Sequence, residues 1–381
     1  MPAGKPALED VIVLDFTRAV AGPLCTMLLA DLGARVIKVE EPGTGDETRS
    51  WGPPFIEREN GERWGTYFVS INRNKESIAL DLKSAAGRDV ARRLAGRADV
   101  VVENFRPGVA ERLGIGYEAL RVLHPGLIYC SISGFGQEGP WRDKPGYDLM
   151  IQALSGLMHM SAEPGGRPVK SAFPVADVLT GLFAEQAILA ALHGGRGQKI
   201  EVSLLDSLLA AMAPLATAYL MTGEEPPQMG GAQANIVPYQ VFRCADGYVA
   251  AGAPNDRLFE RFARALGHPE WPADARYATN PERTRHRAEL VGEVEAALAE
   301  LTVAEAVEKF EAEGLPCAPV SRLSETLEHP AVAASVVDFG VRTMAHPARF
   351  SGSRVSYRHP PRLGEHTESI LAWLEETSDG E

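Results

Sequence analysis

The sequence predicts an α/β protein in which helices flank a parallel sheet, followed by a smaller α+β domain. Two observations carry this. Strand-like and helix-like segments alternate through the first third with short connections, the mark of βαβ units. The pattern then changes after TGEEPPQMGGAQANI, at 222–236, a linker by composition.

The elements follow in order. VIVLDF (11–16) is a β-branched run, and GPLCTMLLADLG (22–33) has helical spacing and ends in Gly. ARVIKVEEP (34–42) is a second strand, stopped by Pro42. A helix at 84–96, the strand DVVVENF (99–105), a helix at 117–124 and the strand LIYCSISGF (127–135) continue the alternation. Two helices, YDLMIQALSGLM (147–158) and DVLTGLFAEQAILAALHGG (177–195), flank a Gly/Pro-rich loop, SAEPGGRPVKSAFP. GQKIEVSL (197–204) is a further strand. Beyond the linker, VPYQVFRCADGYVAAGA reads as a hairpin turning at Ala-Asp-Gly, and amphipathic helices fill 255–267, 282–300 and 303–314. The chain closes on a helix, HTESILAWLEE.

Composition narrows the function. A chain of 381 residues suits two domains, at about 150 residues each. Lys and Arg number 38 against 51 Asp and Glu, a balance of −13, so no nucleic-acid partner is expected. Cys25, Cys130, Cys244 and Cys317 lie far apart and give neither a zinc signature nor a disulfide framework. His124, His159 and His193 lack metal-ligand spacing, so no metal is expected. No basic segment followed by an apolar one opens the chain, and Asp206, Ser207 and Pro214 interrupt the apolar stretch Leu204–Met221. A cytoplasmic enzyme, with no membrane span, is the expectation.

Several motifs carry chemistry. Gly134-Phe-Gly136-Gln-Glu-Gly139 has the spacing of a dinucleotide loop, but Pro140 and Trp141 follow where a helix should open, so no nicotinamide or flavin site is expected. Asp177 stands at the head of a long apolar helix; it is either a helix cap or a nucleophilic carboxylate on a turn. Asp148, beside Tyr147 at the head of the preceding helix, is likewise a cap or a partner in a site. Gly181, one turn beyond Asp177, leaves room for a bulky group. Arg18, Arg49, Arg73 and Lys75 sit in loops at the edge of the sheet, as solvated charges or as ligands for carboxylates and phosphates. Glu103-Asn104-Phe105 ends a strand at the same edge, where it can cradle an adenine or pantetheine or simply close the loop.

Taken together, LDFTRAVAGPLCTMLLADLGARVIKVEEPGTGDETR, NRNKESIALDLK, VVENFRPG, YCSISGFGQEGP, GYDLMIQALSGLM, VADVLTG, GRGQKIEVSLLDS, GLPCAPV and PPRLGEHT resemble, in this order, the class III coenzyme A transferases of the formyl-CoA:oxalate type. WGPPF, SGLMH, IVPYQVF and DGYVAAGA carry a narrower resemblance, to the succinate–hydroxymethylglutarate CoA-transferase branch.

The resemblance implies an interlocked, ring-like homodimer. It assigns residues 1–221 and 330–381 to a large Rossmann-like CoA-binding domain and 237–329 to a small α+β domain, with 222–236 as linker. It makes Asp177 the nucleophile that attacks an acyl-CoA thioester, and Asp148 an acidic neighbour. It implies CoA contacts from Asn104, Phe105, Arg112, Leu113 and Lys144, with Lys75 grouped among them. Gly230 and Gly231 fall where relatives carry a mobile glycine loop, here short. Glu41 departs from the pattern, since relatives often have a basic residue there. Coenzyme A and its thioesters are substrates, and no resident cofactor is implied. The expected donor is succinyl-CoA and the acceptor a small dicarboxylate, whose distal carboxylate Arg18, Arg49 or Arg73 would pair. The same fold also carries 2-methylacyl-CoA racemases, which place a His just before the acid matching Asp148. Here Tyr147 stands there, and a phenol of pKa about 10 is a poor base near neutrality, which favours transfer. An acyl-CoA-binding protein without catalysis would leave Asp177 explained only as a cap.

Overall fold

The computed structural model describes residues 4–57 and 61–376. Six strands form one sheet: β1 (Ile12–Asp15), β2 (Arg35–Glu40), β3 (Glu76–Ala79), β4 (Val100–Glu103), β5 (Ile128–Ser133) and β6 (Gln198–Ser203). They lie in the order β3-β2-β1-β4-β5-β6, and every neighbouring pair is parallel. This is the doubly wound order, in which the winding reverses between β1 and β4. Val13, Leu14, Val36, Ile37 and Val100–Val102 are buried, as strands covered on both faces must be.

The predicted strands appear at their places, trimmed by one or two residues at the ends. Strand β3 is an addition that the sequence pattern does not announce. It is a four-residue edge strand following the charged run Arg73-Asn-Lys75, too short to show a period.

Four helices border the site: α1 (Ala21–Asp31), α2 (Asp148–Leu154), α3 (Val175–Gly194) and α4 (Leu204–Ala211). The helix expected over 147–158 breaks at Gly156, whose φ of +86° ends α2 and starts a separate turn, Leu157–Met160. A Cβ on Gly181 would stand 2.8 Å from the carbonyl oxygen of Ala21, so this glycine lets α3 lie against α1. The room expected there for a bulky ligand is filled by α1. Helix α3 is long and apolar enough to cross a membrane by length and composition; it packs on α1, α2, α4, β5 and β6.

Two compact units are distinguished. The first comprises residues up to 155, 171–220 and those from 334 onward. The closing helix Thr367–Glu376 belongs to it: Ile370 and Leu374 are fully buried beside Leu14, Ile37, Leu94 and Leu120. Residues 1–3 and 377–381 of the expected large domain lie outside the described residues.

The second unit comprises 156–170 and 221–333. Its sheet is the predicted hairpin, β7 (Tyr239–Arg243) and β8 (Tyr248–Gly252), joined by β9 (Cys317–Pro319), all antiparallel. Phe242, Phe259, Phe262, Trp271 and Phe310 fill its core, with the Phe262 and Phe310 rings stacked at 5.0 Å. Much of the stretch read as a linker is built into this unit. Gly230 N–H donates to Ala162 at 2.9 Å, Gln233 to Tyr239 at 3.0 Å, and Val241 to Gly231 at 3.1 Å. Its Gly/Pro/Gln content reflects irregular backbone held by hydrogen bonds, not freedom.

Candidate active site

In a doubly wound sheet, ligands bind beyond the carboxyl ends of the strands, at the point where the order reverses. Here that point lies between the loops after β1 and β4. The two loops are tied by a reciprocal pair: Arg18 N–H donates to Asn104 Oδ1 at 2.9 Å, and Asn104 Nδ2 donates to the Arg18 carbonyl at 2.7 Å. Ala19 follows with φ +61°, a strained left-handed turn that swings the chain into α1. Phe105 leaves the second loop with its ring 6.5 Å from Phe16 and under the Arg18 guanidinium at 5.9 Å. Beneath it, Glu103 accepts from Phe105 N–H at 2.8 Å and from the Ser131 hydroxyl, anchoring the loop to β5.

A cavity of about 290 Å³ opens here, with Arg18, Asn104, Phe105, Lys144, Tyr147 and Asp177 in its walls. Of the Gly-x-Gly-x-x-Gly stretch, Gly134 lines the cavity. A Cβ on Gly134 would stand 2.8 Å from Gly146 Cα, so the first glycine lets the loop fold back on itself. No helix opens after the motif until Asp148, which leaves the dinucleotide loop without its phosphate-binding terminus.

Asp177 is the third residue of α3. The cap position is Pro174, which has no side chain to offer, and Asp177 does not cap the helix either. The cap comes from another helix: Asp148 Oδ1 accepts from Ala176 N–H at 2.9 Å. Asp177 is thereby left with no hydrogen bond to any described residue, facing the cavity. Burial, and then the charge of Asp148, push its carboxyl up to about 7. A partly desolvated carboxylate with no partner is a better nucleophile than a solvated one.

Asp148 is buried, and besides capping α3 it accepts from Gln152 Nε2 at 2.6 Å. Both its oxygens are engaged, so it acts on Asp177 by position and charge.

The other predicted residues divide. Arg18, Asn104, Phe105 and Lys144 line the cavity. Arg49 does not: it pairs with Glu40 at 2.6 Å, donates to Pro361 O, and lies 3.7 Å from the Phe68 ring. Arg73 is buried against Asp31 at 2.6 Å and donates to Met344 O. Lys75 is fully buried, donating to Asp15, Pro23 O and Asn72. Each of these three cations is spent on neutralising a buried acid, and none is available to CoA or to a substrate carboxylate. Leu113 packs against the core of the first unit instead of lining the cavity. Glu41 pairs with Lys83 at 2.7 Å, which offsets its charge.

Arg112 has a neighbour that sequence reasoning misses. A Cβ on Gly108 would stand 3.3 Å from Arg112 Nη1 and 3.8 Å from Arg142 Nη2. Arg112 and Arg142 thus both approach Gly108, and Arg142 lines the cavity with Arg106 and Lys144, whereas Arg112 does not. Among the described residues the Arg142 guanidinium lies 4.0 Å from the Asp143 carboxylate, and Lys144 lies over the Trp141 ring at 4.6 Å. Like charges gather this way where an anion is to be held. The only signal in the sequence is Arg142 two residues before Lys144, on a loop already rich in charge.

A profile of CoA-transferase family III matches residues 8–367. This chain belongs to CoA-transferase family III. It is 41% identical over 392 residues to the succinate–glutarate CoA-transferase of Agrobacterium fabrum, covering 98% of this chain and 97% of that protein. It is 42% identical over 384 residues to the succinyl-CoA:glutarate CoA-transferase of Mus musculus, covering 96% and 86%. A CAIB/BAIF family protein from Brucella suis superposes with a TM-score of 0.87 at 38% identity, over 97% of this chain and all of that one. The cavity at the switch point is thus the candidate active site of a family III CoA-transferase.

Proposed function

We propose that this CoA-transferase moves CoA from succinyl-CoA to a small dicarboxylate of the glutarate type, with Asp177 as the nucleophile. The observation that carries the reading is the Asp177 carboxylate itself: raised towards neutrality, without a hydrogen bond, and facing a cavity whose mouth is cationic. The donor and acceptor follow those of the relatives in Agrobacterium fabrum and Mus musculus.

The steps balance without an external reagent. An Asp177 oxygen attacks the thioester carbonyl, the C–S bond breaks, and CoA thiolate leaves a mixed anhydride. The thiolate attacks the Asp177 carbonyl, releasing succinate with the bridging oxygen and forming an aspartyl-CoA thioester. The acceptor carboxylate then runs both steps in reverse, leaving one of its oxygens on Asp177. Covalent capture splits one hard exchange into steps between species of similar reactivity. Phe105, with Val20, Ile132 and Leu204 in the cavity walls, excludes water that would hydrolyse the anhydride.

Arg112, Arg142 and Lys144 are assigned to the CoA phosphates, and Phe105 to the adenine or pantetheine. With Arg49 and Arg73 committed elsewhere, Arg18 is the one predicted cation left for the distal carboxylate. No resident cofactor or metal is needed. A homodimer is supported by the apolar side chains that the first unit leaves exposed, among them Leu149, Met150, Leu154, Leu182 and Tyr219. We place the enzyme in the cytoplasm.

The test is a panel: purified protein, succinyl-CoA, and dicarboxylates from malate to glutarate, with new acyl-CoA species followed by mass spectrometry. Glutaryl-CoA from the wild type and none from Asp177→Ala supports the reading. No transfer to any acid, with α-hydrogen exchange of a 2-methylacyl-CoA in heavy water, would make the protein a racemase instead.

A further inference from the structure

No step of the transfer involves Gln152, yet it is a fully buried polar side chain one helical turn from Asp148. Both ends of its amide are engaged. Nε2 donates to Asp148 Oδ2 at 2.6 Å, and Oε1 accepts from Ser171 N–H at 2.9 Å. Asp148 Oδ1 in turn accepts from Ala176 N–H, the residue before Asp177. The segment 171–176 is thus fastened to α2 at both ends, once through each group, and it delivers Asp177 to the cavity wall. The orientation of the amide is fixed by chemistry, because a carboxylate can only accept and a backbone N–H can only donate.

We infer that Gln152 is a positioning residue for the transfer reaction: with Asp148 it clamps the segment leading into α3 and so sets the location of the Asp177 carboxylate. This rests on Asp177 being the nucleophile.

The requirement is specific. A donor and an acceptor must be presented from one planar group at the reach of three side-chain carbons. Glu keeps the shape but sets acceptor against acceptor at Asp148, unless it carries a proton. Protonated, its O–H replaces the Nε2 donor and its carbonyl oxygen still receives Ser171 N–H. Leu fills the space and leaves Asp148 and the Ser171 N–H each without that partner, a cost to both. The titratable groups on the helices packed against α2 are accounted for. On α3, Asp177 is coupled to Asp148, Glu185 is coupled to Asp31 and His193 lies in the last turn; on α4, Asp206 accepts from Ser203.

The experiment compares wild type, Gln152→Glu and Gln152→Leu for kcat and KM with succinyl-CoA across pH, and for the CoA adduct by intact mass. The expected result is a fall in kcat on the order of 10–100-fold for both variants, since small displacements of a reacting group cost that much. KM for succinyl-CoA should change less than threefold, because the cavity walls are untouched. The Glu variant alone should recover towards acidic pH relative to wild type, as its carboxyl takes up a proton. Equal kcat in all three proteins, or loss in the Glu variant that is the same at every pH, overturns the inference. If the wild type transfers CoA yet forms no adduct, the reading of Asp177 fails instead, which separates the two failures.

Discussion

Arg18 and Asn104 exchange two hydrogen bonds, N–H to Oδ1 at 2.9 Å and Nδ2 to carbonyl at 2.7 Å, across the point where the sheet reverses its winding. The side chain expected to touch CoA is therefore already engaged, and its first duty is to hold the two loops in register. Asn104→Ala should cost about 2 kcal/mol of loop anchoring and raise KM for the acyl-CoA. Asn104→Asp keeps the acceptor, loses the donor, and should fall between the two. A KM unchanged in the Ala variant would show that the tie does not shape the site.

As the proposed nucleophile, Asp177 would have to be ionised to attack, and its carboxyl is pushed up to about 7. Activity should therefore rise with pH through a limb near neutrality, seen in kcat/KM as a free-enzyme ionisation. Asp148→Asn removes the second cause of the shift, leaving burial. The limb should move to lower pH by part of the displacement, while kcat falls because Gln152 loses its acceptor.

The same ionisation has a stability consequence of opposite sense. The folded protein keeps the Asp177 proton up to about 7, whereas an unfolded chain releases it near the ordinary carboxylate range. Stability is therefore lost as pH rises between the two, and the loss is complete above the folded value. Asp177→Asn should raise Tm by roughly a few degrees at pH 8 and leave it unchanged at pH 4. Thermal melts at the two pH values check this.

Lys75 and Asp15 form a buried pair at 3.0 Å, and Lys38, itself paired with Asp46 at 2.9 Å, adds its charge nearby. Burial alone would raise the Asp15 carboxyl, but Lys75 and Lys38, with hydroxyls from Thr17 and Thr26, hold it down to about 2. That contribution to stability is present above the ordinary carboxylate range and disappears as pH falls towards 2. Lys75→Met leaves a buried acid short of a partner and should destabilise by about 3–5 kcal/mol. Its KM for succinyl-CoA, measured on whatever folds, should match wild type. A selective rise in KM would instead return Lys75 to the substrate.

Arg112→Ala and Arg142→Ala should each raise KM for succinyl-CoA several-fold, with the effect shrinking at high salt. If they share one phosphate, the double variant should lose less than the sum of the two in free energy. Full additivity would mean separate sites.

Much of the fold is legible in the sequence because strands covered on both faces and a helix in the core read as continuous apolar runs; Val100–Val102 and α3 are examples. The edge strand Glu76–Ala79 does not, being four residues of mixed character. The site is legible in outline as a neighbourhood: Asn104, Phe105 and Asp177 line one cavity, and Asp148 caps the helix that carries Asp177. The cations are not. Arg49, Arg73 and Lys75 look like ligand contacts in a loop, and only the fold shows that Glu40, Asp31 and Asp15 stand beneath them. Gln152 has a signal in its i,i+4 spacing to Asp148, but its second partner, Ser171, is brought close only by the fold.

In the proposed mechanism Asp177 holds CoA between the two substrates, and oxygen tracing separates that route from direct attack. Glutarate labelled with heavy oxygen in its carboxylates is turned over with succinyl-CoA, and the peptide containing Asp177 is weighed. This peptide should gain heavy oxygen, because the acceptor leaves one of its oxygens on the aspartate in every cycle. Labelled succinate with an unlabelled Asp177 peptide would contradict the covalent route, since that pattern belongs to direct attack of one substrate on the other.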